Sequence, residues 1–178
     1  MVESVAEYKG FYVGRYEMSL SASGTAQSVA GATSANNSSS SANMWWGLYE
    51  KALTYSTSGV ISEMIWGCQY DAMMKWMQGN NIDVTSTTPT DINRGVVASK
   101  NTTRVTGSAD SNDILNNIYD ILGNGLEWTQ EAFNIGYRVL RGGVYNGGGY
   151  TPNIRKVDAC YPELTNGYNG SRLTLYVE

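Results

Sequence analysis

Asp120-Ile-Leu-Gly-Asn-Gly-Leu-Glu-Trp-Thr129 opens the part of the chain that decides the fold, and Arg138-Val-Leu-Arg-Gly-Gly143 and Gly170-Ser-Arg-Leu-Thr-Leu175 complete it. After Asn116-Asn-Ile-Tyr-Asp120 the chain reads as a compact set of short strands and turns: Tyr137 to Arg141, then a Gly-rich stretch, then Ser171 to Val177. Upstream, Gly10-Phe-Tyr-Val-Gly-Arg-Tyr16 reads as one more strand. Met44-Trp-Trp-Gly-Leu-Tyr-Glu-Lys-Ala-Leu53 has the spacing of a short amphipathic helix. A second helix is expected over Val60 to Met77, with Ile61, Ile65, Cys68, Ala72 and Trp76 near helical spacing, Ser58 or Ser62 as its cap, and Gly79-Asn80 as its end. Met73, Met74 and Met77 are expected in the core, where methionine fills irregular gaps. Ser19 to Asn43 carries no charge and reads as a surface loop, and 79 to 112 are polar and loop-like. Strand, two helices, loops and an irregular β region, with no βαβ alternation, predict a single α+β domain over 1–178.

Composition narrows the chemistry. The 178 residues contain no histidine, which excludes Ser-His-Asp and Cys-His nucleophiles and any metal site built on imidazole. Twelve basic residues stand against sixteen acidic ones without a basic run, so nucleic acid is not an expected partner. No stretch of about 18 apolar residues exists, so membrane insertion by a helix is not expected. Met1 to Lys9 holds Glu3, Glu7 and Lys9 and lacks the apolar centre of a signal peptide. Cys68 and Cys160 are compatible with one long-range disulfide or with two thiols, the latter favoured by the apolar helical setting of Cys68. Asp113, Asp120, Glu127 and Glu131 form no isolated carboxylate pair of the glycosidase kind.

Taken in order with Gly10-Phe-Tyr-Val-Gly-Arg-Tyr-Glu17, the three C-terminal pieces resemble the formylglycine-generating (sulfatase-modifying factor) branch of the C-type lectin fold. Met64-Ile-Trp-Gly-Cys-Gln-Tyr-Asp71, and the loose segment framed by Arg-Gly-Gly and Gly-Ser-Arg-Leu, look closest to variable proteins of diversity-generating retroelements, often carried by phages and prophages. The resemblance implies two helices with short irregular sheets. It also implies a variable ligand-binding region over 144–169 and a partner that is a protein or glycan on a cell surface. A place on a virion, in a phage tail, or at a cell surface within a larger assembly goes with it.

Matching to the family's variable cassette gives Val144, Tyr145, Gly147, Gly149, Tyr150, Ile154, Lys156, Val157, Asp158 and Cys160 as candidate diversified positions. Arg141, Gly142, Gly143, Pro152, Arg155, Pro162, Gly170 and Arg172 look like framework. Lys156 departs from the pattern, because an AAC codon changed only at its adenines cannot encode lysine. The residues themselves agree with a binding role. Tyr145, Tyr150, Tyr161 and Tyr168 lie among Gly, Asn and Thr, a mixture that gives large contact area with few rotors to freeze.

Catalysis is not expected. Oxidases of the resembled branch hold copper between two closely spaced C-terminal cysteines, whereas Cys160 is the only cysteine in that region. Asn124 and Glu127 match a family segment that helps to bind calcium, although Gly125 and Leu126 depart from its usual residues; otherwise no cofactor is expected. A turn whose Asn and Glu cap local backbone groups is the alternative. A catalytically inactive module of a phage tail and an oxidase with an unrecognised site remain as rival readings.

Overall fold

The computed structural model describes residues 2–35, 44–55, 57–80, 105–107, 114–121, 123–143, 157–164 and 169–177. The element order is α1 (Val2–Tyr8), β1 (Tyr12–Val13), β2 (Ser19–Leu20), β3 (Ala26–Gln27), α2 (Trp45–Ala52), β4 (Val60–Met64) and α3 (Gly67–Gly79). There follow β5 (Ile114–Leu115), β6 (Ile118–Tyr119), β7 (Leu126–Asn134), β8 (Tyr137–Arg141), β9 (Val157–Cys160), β10 (Asn169–Ser171) and β11 (Leu173–Val177).

Two sheets organise the molecule. One is antiparallel in the order β1-β11-β4, which brings the first and last described strands together. The other runs β10-β7-β8-β9, with β10 parallel to β7 and the other pairs antiparallel. Two small hairpins, β2–β3 and β5–β6, complete the β structure. The helix α1, which the sequence reading did not foresee, is tied to the last strand by Ser4 Oγ donating to the Val177 carbonyl at 2.6 Å.

The single helix expected from Val60 to Met77 is a strand followed by a helix. Val60–Met64 pairs along its whole length with β11, from Val60 opposite Val177 to Met64 opposite Leu173. In that register Ser62 and Met64 are buried while Ile61 and Glu63 are not, an alternation with the period of a strand. Ser62 is therefore no helix cap; its hydroxyl donates to the carbonyls of Ala52 and Tyr55, at 2.6 and 2.9 Å. The helix starts after Trp66, whose backbone N–H donates to Gln69 Oε1 at 2.7 Å, as in a capping box. It ends at Gly79 with Asn80 behind it, as the sequence indicates. The shift in start also moves Cys68, which is exposed instead of buried.

The expected loop from Ser19 onward holds the β2–β3 hairpin, and its residues 36–43 lie outside the described part, as do 81–104 of the polar stretch. One core cluster joins Trp45, Leu48 and Ala52 of α2 to Trp128 and Leu140 of the mixed sheet. The other buries Met73, Met74 and Met77 of α3 against Leu115, Ile118 and Ile121, as their gap-filling chemistry suggests.

Candidate ligand-binding face

The mixed sheet is anchored by a buried ion pair. Arg172 is fully buried, and its Nε donates to Glu127 Oε1 and Oε2 at 2.9 and 3.2 Å while Nη2 reaches Oε1 at 2.5 Å. The remaining donors meet backbone: Nη1 the Gly14 carbonyl at 2.9 Å and Nη2 the Tyr119 carbonyl at 2.8 Å. One guanidinium thus joins the end of β1, the β5–β6 hairpin and β7, which is the work its planar fork of donors suits. Beside it, Glu17 accepts from Asn124 Nδ2 at 2.7 Å and from the Gly125 N–H at 3.0 Å. Burial, then the charges of Asp120 and Glu127, push Glu17 well above the usual carboxylate range. Burial also raises Glu127, against the pull of Arg172.

This arrangement gives a calcium ion at Asn124 and Glu127 a poor fit. Both Glu127 oxygens already face the guanidinium of Arg172, so a second cation would meet a like charge there. Among the described residues no group of three or more Cys, Asp or Glu is placed to hold a metal ion.

A second arginine braces the C-terminal end of β8. Arg141 pairs with Glu131 at 3.0 Å and with Asp71 at 3.4 Å, and its guanidinium lies 5.8 Å from the centre of the Tyr70 ring. Gly142 follows with φ +82°, where any side chain is strained; an added Cβ would also approach the Ile121 carbonyl oxygen to 3.2 Å. The chain returns as β9, whose register runs from Arg141 opposite Val157 to Arg138 opposite Cys160. Among the described residues β9 forms the edge of the sheet.

The far end of this hairpin carries an aromatic cluster. Tyr137 and Tyr161 have ring centres 4.3 Å apart, and their hydrogen bond holds the Tyr137 phenol above its usual range. Arg138 lies 4.9 Å from the centre of the Trp45 ring and 6.0 Å from that of Trp46, within cation–π reach. Trp45 is stacked on Tyr49 one helical turn away and donates from Nε1 to the Thr129 carbonyl at 2.7 Å. Tyr161 and Trp46 remain more than half exposed, at 58% and 51%. Sequence reasoning singled out Tyr161 but not Trp45, Trp46, Tyr137 or Arg138. The adjacent tryptophans, with Tyr49 four residues beyond the first, were the available signal.

Among the candidate variable positions, Val144, Tyr145, Gly147, Gly149, Tyr150, Ile154 and Lys156 lie outside the described residues, as do Tyr168 and the framework candidates Pro152 and Arg155. Val157 and Asp158 fall on β9. Cys160 also falls on β9, where it is half-buried and packs against the core beneath the sheet; no disulfide joins it to Cys68. The framework candidates that are described, Arg141, Gly142, Gly143, Pro162, Gly170 and Arg172, are all buried.

The architecture has a counterpart among solved structures. The chain is similar in fold to Treponema denticola variable protein 1, with a TM-score of 0.50 and 19% sequence identity over 68% of this chain and 50% of that one. The fold is α+β and C-type lectin-like. This chain spans half the length of the structure it matches. No family model and no curated protein matches it. Among the described residues no helix is long and apolar enough to cross a membrane.

Proposed function

We propose that this chain is a non-catalytic binding protein of the diversity-generating-retroelement kind, within the formylglycine-generating-like branch of the fold. Its changeable ligand-facing part lies between Gly143 and Gly170, with Cys160 and Pro162, which pack inward, serving as scaffold. The observation that carries this reading is that both flanks of residues 144–156 are fixed. Arg141 and Gly142 are buried and braced where the segment leaves, and it returns along an edge strand held in register by four residue pairs. A fixed exit and a fixed return are what a scaffold needs if the residues between them change without unfolding it.

Contacts come from large, stiff rings, with Tyr145, Tyr150 and Tyr161 as anchors and Asn, Thr and Asp as adaptable partners. The exposed rings of Tyr161 and Trp46 extend the face along the hairpin. The partner is a protein or glycan on a cell surface, and the chain works on a virion or at a cell surface within a larger assembly.

Binding of the labelled protein to a glycan array and to a panel of bacterial cells tests this. Saturable binding to one target, lost by at least about tenfold in Tyr145→Ala/Tyr150→Ala with an unchanged melting temperature, is the expected result. Binding that survives the double substitution refutes the assignment, and binding to no target favours a structural module of a phage tail. A near-copy of codons 144–160, differing at adenines and lying beside a reverse transcriptase gene, is expected in the flanking DNA.

A further inference from the structure

A cavity of about 500 Å³ lies away from the β8–β9 hairpin, between the start of β1, one side of α3 and the turn of the β5–β6 hairpin. Its size is that of a small-molecule site. Phe11, Tyr12, Met73 and Trp76 give it apolar and aromatic walls. Tyr12 and Trp76 are 65% and 51% exposed, so its mouth is open.

Two polar groups on the lining stand out. Arg15 has no carboxylate partner among the described residues, unlike Arg141 and Arg172. Asn116 Nδ2 is buried without an acceptor, and a buried donor left unpaired costs the fold unless something satisfies it. Asn116 is held there by its turn. It and Asn117 have φ of 48° and 65°, the paired left-handed residues of a tight two-residue hairpin, where asparagine is favoured.

We propose that this cavity binds a small carboxylate that carries an aromatic or aliphatic group. The apolar part fills the space between Trp76, Met73 and Phe11. The carboxylate accepts from Asn116 Nδ2 and faces the Arg15 guanidinium, a charge-assisted arrangement that a neutral ligand cannot reproduce. No residue of the cavity belongs to the proposed variable segment, so this site stands or falls independently of the face above.

Isothermal titration with 3-phenylpropionate and its uncharged amide, 3-phenylpropionamide, tests the assignment. The acid is expected to bind with one-to-one stoichiometry and about tenfold more tightly than the amide. Arg15→Ala removes that preference, and Asn116→Gly, which tolerates the turn's backbone, weakens the acid and the amide alike, because an amide oxygen accepts from the same donor. Ala72→Phe, at an exposed position of α3 on the rim, blocks both ligands. Equal affinity for acid and amide, absence of binding by the acid up to its solubility limit, or a preference that survives Arg15→Ala would each overturn the proposal. The comparison of acid with amide on the unmodified protein decides the matter even if a variant misfolds.

Discussion

Glu17, Asp120 and Glu127 surround a single buried arginine, so the polar centre holds more negative than positive groups. Burial raises Glu17 first, and the neighbouring carboxylates raise it further. A raised native value means that the folded chain holds this proton more tightly than the unfolded chain does. The stability gained from it is complete below the ordinary glutamate value and is lost as pH rises through the raised one. The melting temperature is therefore expected to fall as pH rises above the ordinary glutamate range. Glu17→Gln, which keeps the shape and removes the charge, flattens that fall; an unchanged slope by calorimetry would acquit Glu17. At this scale the sequence was only partly readable. Arg172 stood out as framework because it sits in Gly-Ser-Arg-Leu, but its pairing with Glu127, 45 residues away, depends on β10 lying parallel to β7. No local pattern encodes that.

Among the elements, α2 and β8 match their expected positions closely, because their periodicity is local and their ends are marked. The sequence around Val60–Met64 fits a helix because Ile61, Ile65 and Cys68 match a 3.6-residue period, and short apolar runs fit either period. Pairing with β11 settles the matter in favour of a strand. The junction that follows has its own constraint. A Cβ on Gly67, the first residue of α3, would come within 2.7 Å of Glu131 Cδ and 3.1 Å of its Cβ, and Glu131 is the carboxylate that braces Arg141. Alanine favours a helix by up to about 1 kcal/mol over glycine, so this contact opposes a gain. Gly67→Ala is expected to destabilise the parent protein yet to be neutral or stabilising in a Glu131→Ala background. A double-mutant cycle by urea denaturation should give a coupling of about 1 kcal/mol or more. Simple additivity would show that Glu131 does not hold the helix start and the Arg141 exit together.

For the whole molecule, the C-type lectin-like fold was legible because four short pieces occur in the family's order, each too weak alone. The face was less so. Its candidate variable positions came from a resemblance, whereas Trp46, Tyr137 and Arg138 are brought beside Tyr161 only by the meeting of α2 with the β8–β9 hairpin. Thermal melting tests the proposed division of labour between an anchored scaffold and a changeable segment without knowledge of any ligand. Tyr145, Tyr150, Ile154 and Val157 are replaced together by serine and the melting temperature is compared with that of the parent. Exposed substitutions each cost at most about 0.5 kcal/mol, or about 2 kcal/mol for the four together, so the midpoint is predicted to stay within about 8 °C and the transition to remain cooperative. A larger fall, or loss of the cooperative transition, would mean that these side chains are core and would contradict the account.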